Sequence, residues 1–279
     1  MVFRKTMLDM HNEHRDRLAS GAEEKKGFPS AANMRVLNYD LELEYIAYCY
    51  SKVAWKGHDV CRFTHLEEYT GQNVYGNSRR NDTVPLYKRS VEAWYSEIDE
   101  VKDSMGLINN FDLRSHQKAT IPVGHFTQVI WSRTTHVGCT RVWIPENPFQ
   151  KAYHLMIICN YGGGDGGNVR TTKIYDIGEP CSNCPSDTTC NDKYKNLCGK
   201  LEPIPEREPF KKENRGGGGG GGNGGGGGGG GGDGGGDGGN GISATTDGGN
   251  NTEGTSGVRR ICISKVLPLA ISIAVYCLI

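Results

Sequence analysis

The chain has 279 residues, with 32 Lys+Arg against 32 Asp+Glu, so its formal charge is zero. No basic block with interleaved aromatics is present, and nothing in the charge pattern supports nucleic-acid binding. Most of the 41 glycines follow Arg215, which leaves about the first 200 residues as the folded part, enough for one sizeable core.

The opening stretch, MVFRKTMLDMHNEHRDRLASG, has no apolar leader core and becomes charged at once. Residues 4–20 read as a helix, stopped by Gly21. "MRVLNYD" (34–40) reads as a short strand ending at Asp40, which then caps a helix. In that helix Leu41, Tyr45, Cys49 and Val53 recur every four residues, with Glu42 and Glu44 in its first turn. Tyr87, Val91, Trp94, Tyr95, Ile98 and Val101 mark a third amphipathic helix. Two strands follow, "HVGCTRVWI" (136–144) and "AYHLMIICN" (152–160), joined by the turn-rich "PENPFQK". A hairpin centred near Phe149 sets Cys139 opposite Cys159, in reach of a disulfide if the strand pair is twisted.

Eight of the ten cysteines precede Arg215: Cys49, Cys61, Cys139, Cys159, Cys181, Cys184, Cys190 and Cys198. An even set suits a disulfide framework made in an oxidising compartment. The run Cys181-x2-Cys184-x5-Cys190-x7-Cys198 has the count for zinc, but its second half lacks the CxxC knuckle of a zinc ribbon. Residues 181–198 have too little apolar content for a core, so disulfides must hold them; four cysteines allow three connectivities. Residues 199–215, rich in Pro, Glu and Lys, read as an extended linker, and the glycine tract from Gly216 as a flexible tether without the collagen period. The apolar run Val266–Ile279 falls short of the ~20 residues of a spanning helix. With the small trio Gly254-Thr255-Ser256 and a spacer it fits a GPI-attachment signal at Gly254; a tail-anchored segment is the alternative. Two sequons, Asn81-Asp82-Thr83 and Asn250-Asn251-Thr252, also point to the secretory route.

Three side chains stand out chemically. His125 opens "GHFTQVIW", His58 lies in "KGHDVC", and Glu97 borders the apolar stripe of the third helix. A carboxylate at that border needs a partner, and two histidines with a carboxylate either hold a divalent metal with open positions or form a hydrogen-bonded cluster.

At this point the chain resembles the CAP superfamily: cysteine-rich secretory proteins, venom antigen 5 and PR-1-type pathogenesis-related proteins. "GHFTQVIWSRT" (124–134) matches its first signature over eleven residues. "CNYGGGDGGN" (159–168) keeps Cys159-Asn160-Tyr161 and Gly167-Asn168 of the second, with the proline lost and two residues added. "HNEHRDRLASG" (11–21), "GHDVC" (57–61), "TGQNV" (70–74) and "VEAWYSEI" (91–98) also match, so the resemblance covers roughly residues 5–200 and looks closest to the antigen-5-like invertebrate branch. It implies an α+β fold, a three-layer α-β-α sandwich over 1–178. A disulfide-held hinge at 179–200, a disordered linker at 201–257 and an anchor signal at 258–279 follow it.

The resemblance further implies a cleft of two histidines and two glutamates that binds a divalent cation in some members. His58, Glu97 and His125 match three of those positions, and Gln72 of Gly71-Gln72-Asn73 stands where the second glutamate is usual. A neutral amide oxygen is the weaker cation ligand, so the expected cofactor is none required, or a weakly held Zn²⁺. Family members of this branch carry a leader and an upstream cysteine. Cys61 matches a domain-side cysteine, whereas Ala54 holds the other usual position; Cys49–Cys61 pairing, or a leader upstream of Met1, is expected.

The resulting expectation is a secreted or cell-surface, non-enzymatic protein that binds a lipid or sterol, or acts on a host or neighbouring cell. Similar proteins hold such ligands in grooves between helices, and the aromatics of the second and third helices are candidates to line one or to fill the core. The alternatives are a hydrolase using the His/Glu cleft, for which Ser96 and Ser132 are poorly placed nucleophiles, and a receptor-binding immune modulator.

Overall fold

The computed structural model describes residues 1–52, 58–78, 83–112, 123–143, 155–186 and 188–207. Val53, Ala54, the sequon at Asn81, the 145–151 connector, and everything from 208 on lie outside the described residues, including the sequon at Asn250, Gly254 and the apolar end. Among the described residues no helix is long and apolar enough to cross a membrane.

Helix α1 runs Val2–Ala19. It stops as its sequence foretells: Gly21 adopts φ 82° and its N–H closes on the Leu18 carbonyl. It buries Met7, Leu8 and Leu18, but also four polar side chains with partners elsewhere in the fold, Arg4, His11, Asn12 and Arg15. Asn12 exchanges two hydrogen bonds with the Leu37 backbone. Arg15 donates to the carbonyls of Arg35, Val129, Trp131, Ser132 and Thr134, which ties two separate stretches of chain, at 35 and at 129–134, to one guanidinium on α1. Burial without a carboxylate partner lowers its pKa to about 9.

Asp40 caps helix α2 (Leu41–Tyr50), accepting the Leu43 N–H at 2.8 Å. Helix α3 covers Val84–Ser96, α4 covers Ser104–Asn109 and α5 covers Gly124–Val129. The third helix is shorter than its periodicity suggests, because the backbone tightens into a 3-10 turn at Glu97–Glu100 and becomes extended at Val101.

Four strands form one sheet in the order β1-β3-β4-β2: β1 Asn38–Tyr39, β2 Gly71–Asn77, β3 His136–Trp143 and β4 Leu155–Gly162. β1 is parallel to β3; the other pairs are antiparallel. Both faces of β4 are covered. Ile157, Cys159 and Tyr161 point into the main core with α1, α3 and α5, while Met156 and Ile158 pack with Ala47 and Tyr50 of α2. The architecture is therefore the three-layer α-β-α sandwich. Cys139 and Cys159 are register partners on β3 and β4, and a disulfide joins them.

The strand expected at 34–40 shrinks to two residues, because its backbone is claimed by other partners. Arg35 N–H goes to Ser132, Val36 N–H to Cys198, and Leu37 N–H to Asn12 Oδ1. The expected linker at 199–215 also begins docked. Leu201 and Ile204 pack on the core, the Glu202 N–H bonds Asn38 Oδ1, and Arg4 donates to the carbonyls of Pro205 and Arg207. The 181–198 segment is held as expected by disulfides, Cys181–Cys190 and Cys184–Cys198, which leaves none of these four cysteines as a thiolate for zinc. Cys49 and Cys61 are also both disulfide-bonded. Tyr50, Tyr87, Trp94 and Tyr95, candidates for a ligand groove, are core residues.

Candidate functional site

Edge strand β2 organises the cleft. Successive side chains of a strand point to opposite faces, so Gln72 turns toward the α2 layer and Asn73 toward α5. Gln72 Oε1 accepts the Asp59 N–H at 3.0 Å and lies 3.1 Å from His58 Nδ1. Its amide nitrogen donates to Asn160 Oδ1 at 3.0 Å, and Asn160 in turn donates to the Leu43 carbonyl. This chain fixes the orientations: a backbone N–H and a backbone carbonyl at its two ends leave Gln72 Oε1 as an acceptor, so His58 carries its proton on Nδ1. Loss of hydration in the cleft lowers the His58 pKa; the Gln72 bond opposes this, and positive Arg62 and the neighbouring His125 add to it.

On the other face, Glu97 leaves the end of α3 and caps α5. Its Oε2 accepts the backbone N–H of His125 and of Phe126, both at 3.0 Å, and its Oε1 lies 2.6 Å from His125 Nδ1. The carboxylate thus satisfies two free N–H groups of the short helix and orients the imidazole at once. Trp94 stacks on the His125 ring with centroids 6.3 Å apart. Asn73 donates to the His125 carbonyl and to Tyr161 OH, and Tyr161 donates to buried His11 Nε2 at 2.7 Å. His11 closes the chain on the Met7 carbonyl, and its burial lowers its pKa to about 3, so it stays neutral.

The rest of "GHFTQVIW" is equally committed. Phe126, Val129, Ile130 and Trp131 are core. Thr127 bonds Asn168 Oδ1 and Asn168 donates to the Gly124 carbonyl, while Gln128 donates to the Gly166 carbonyl. Asn168, at φ 52°, is therefore the clamp that holds the first turn of α5, and the two added residues in the glycine loop leave that clamp intact.

Each sequence-picked residue thus has a defined place, with Gln72 serving His58 as Glu97 serves His125. Among the described residues only Cys181, Cys184 and Cys198 group three potential ligand atoms within 4.8 Å, so His58, Glu97 and His125 do not form a closed three-ligand cage. Sequence reasoning missed Asn73, Asn160, Tyr161 and His11 as supports. All four sit inside stretches that match the family, Asn160 and Tyr161 in its second signature, and the Asn-Tyr pair beside a disulfide cysteine was the available signal.

A family model for the cysteine-rich secretory protein (CAP) family matches residues 8–161. The chain belongs to the CAP family. Relatives of this CAP chain include a cysteine-rich venom protein of Tityus serrulatus, 31% identical over 72% of this chain and 46% of that protein. Another is venom allergen 5 of Vespa mandarinia, 34% identical over 61% of this chain and 78% of that protein. The chain thus spans about half the length of the scorpion protein. Among solved structures, NaASP2 crystallised with Zn²⁺ superposes with TM-score 0.53 at 27% identity, covering 71% of this chain and 96% of that one. As a CAP protein with bonded cysteines throughout its described residues, the chain is built for an oxidising, extracellular setting.

Proposed function

We propose that this CAP protein is a secreted, non-enzymatic binding protein whose cleft takes a divalent cation weakly, through Nε2 of His58 and of His125. One observation carries the reading: both imidazoles have Nδ1 bound to an oxygen acceptor, which leaves Nε2 as the free lone pair. Imidazole nitrogens with their Nδ1 supports in place are donors of the type Zn²⁺ takes, and its other positions would stay open to water or a ligand. The neutral Gln72 removes one negative charge from that setting and weakens the hold. The similar NaASP2 structure, crystallised with Zn²⁺, supports the choice of ion.

Neither serine weighed for the hydrolase alternative is bonded to a cleft histidine. Ser96 Oγ donates to the Ala93 carbonyl, and Ser132 Oγ is buried without a partner. The described cysteines are bonded. For the organic ligand, we favour an amphiphile with one narrow chain. The supporting feature is a groove of about 250 Å³, lined by Val2 and Met10 with the charged Lys5, Asp9, Glu13 and Lys88. It is small for a sterol, and with Lys5 paired to Asp9 it offers Lys88 to an acidic head. Anchoring through Gly254 remains part of this proposal, checked by release from cells with a GPI-cleaving phospholipase.

The decisive experiment is calorimetric titration of Zn²⁺ into the full chain, run beside a panel of peptide and ester substrates. Weak 1:1 binding that disappears in His58→Ala and in His125→Ala is expected, with no turnover. Turnover that vanishes with His125→Ala would reinstate the enzyme.

A further inference from the structure

The two hinge disulfides are packed against each other. Sγ of Cys181, Cys184 and Cys198 lie within 4.8 Å of one another, although they belong to two different bonds, Cys181–Cys190 and Cys184–Cys198. Cys190 faces Cys198 across an antiparallel bridge, although the two are not bonded to each other. Cys181 and Cys184 have the Cys-x-x-Cys spacing that a direct bond can close. Exposure divides the set: Cys190 is open to solvent, Cys181 and Cys184 are half-buried, and Cys198 is fully buried. Cys181 also holds φ 62°, a left-handed conformation that a residue with a Cβ adopts at a cost.

We propose that the hinge is a thiol-exchange site. A small external thiol converts its pairing from Cys181–Cys190 with Cys184–Cys198 into Cys181–Cys184 with Cys190–Cys198. The external thiolate attacks exposed Cys190 Sγ. A mixed disulfide forms there and Cys181 leaves as a thiolate. That thiolate is already within 4.8 Å of Cys184 Sγ; it attacks, the Cys181–Cys184 bond forms, and Cys198 leaves as a thiolate. Cys198 lies across the bridge from Cys190 and attacks the mixed disulfide there, releasing the external thiolate. Three bonds form and three break, no electrons are gained or lost overall, and the thiol is returned unchanged. The other rearrangement, attack on Cys198, strands Cys184, which has no bridge to Cys190.

The exchange matters because Cys198 is the sandwich's grip on the hinge. Its N–H bonds the Met34 carbonyl and its carbonyl accepts the Val36 N–H. In the present pairing the Cys184–Cys198 bond fastens the 181–184 turn to that grip; in the other pairing the turn is closed on itself. The Cys139–Cys159 bond, with both sulfurs' residues no more than 1% exposed, is out of reach of the same thiol and serves as an internal control.

The test is disulfide mapping of the native full chain after incubation with substoichiometric reduced glutathione, acid quenching and cleavage before Asp187 and Asp192. These cuts separate Cys181 and Cys184 from Cys190 and from Cys198. In the present pairing the three fragments stay linked as one. The exchanged pairing frees the fragment with Cys181–Cys184 bonded internally and leaves Cys190 linked to Cys198. We expect at least a tenth of the molecules in the exchanged form, with Cys139–Cys159 unchanged. Cys190→Ser gives a second reading: the Cys181 thiol should displace Cys198, which then takes up an alkylating label. Plain reduction of Cys181–Cys190, no reaction, or label on Cys181 in the variant with Cys184–Cys198 intact would each overturn the proposal.

Discussion

At position 72 a carboxylate would bring an oxygen against Asn160 Oδ1, which now accepts the Gln72 amide N–H. Asn160 would have to turn over and surrender its bond to the Leu43 carbonyl. Gln72→Glu should therefore tighten Zn²⁺ binding several-fold in calorimetry while lowering stability by about 1–2 kcal/mol, the usual cost of a buried polar group losing its partner. A second residue-scale effect concerns acid. Burial lowers His11 to about 3, and burial, with Arg17 nearby, lowers His14 to about 4. In the unfolded chain both take up a proton near pH 6.5, so folded stability is intact above that value and falls as the pH drops toward 4. The slope is roughly 1.4 kcal/mol per pH unit for each histidine. His14 Nε2 has no hydrogen-bond partner and its ring stacks on Tyr95 at 4.1 Å. His14→Phe should keep the stacking, leave stability at pH 7.5 unchanged or higher, and halve the acid slope seen in urea midpoints.

Among the elements, α1, α2 and β1 meet at one buried ion pair. Arg4 binds Glu44 through two bonds of 2.7 Å, and Tyr39 OH donates to the same carboxylate at 2.6 Å. Arg4→Met leaves that carboxylate without its cation and should cost roughly 3–5 kcal/mol in chemical denaturation; the double variant with Glu44→Leu should recover most of the loss. Which elements were legible in the sequence follows from how local their signals are. Asp40 with Leu43 is a cap three residues long, and the β3–β4 register follows from the hairpin's centre, so both were readable. Strand β2 was not: GQNVYGN has two glycines and two asparagines and becomes a strand only because β4 lies beside it. α5 is six residues long with no capping side chain of its own; its cap comes from Glu97, which is 28 residues away. The cleft was legible as a set of residue types. Its wiring was not, because the alternation of Gln72 and Asn73 across an edge strand has meaning only once that strand exists.

For the molecule as a whole, the cysteine count pointed correctly to an oxidising setting, and the family signatures to the sandwich. Composition misplaced the end of the folded unit, since Pro- and Glu-rich residues up to Arg207 dock through backbone carbonyls, which composition does not record. A chain ending at residue 207 keeps these contacts, whereas one ending at residue 200 loses the Arg4 contacts and the packing of Leu201 and Ile204. The shorter chain should be less stable by about 2–4 kcal/mol, from lost charged hydrogen bonds and partial apolar burial. Residues 201–207 thus belong with the sandwich.

The central claim, that the cleft presents two oriented imidazoles rather than a catalytic base, is tested most directly by histidine ring ¹⁵N NMR with and without Zn²⁺. The account predicts that His58 and His125 each hold a proton on Nδ1, toward Gln72 Oε1 and Glu97 Oε1, and that Zn²⁺ moves both Nε2 resonances together. A proton on Nε2 of either ring, or Nε2 resonances that ignore Zn²⁺ at millimolar concentration, would contradict it.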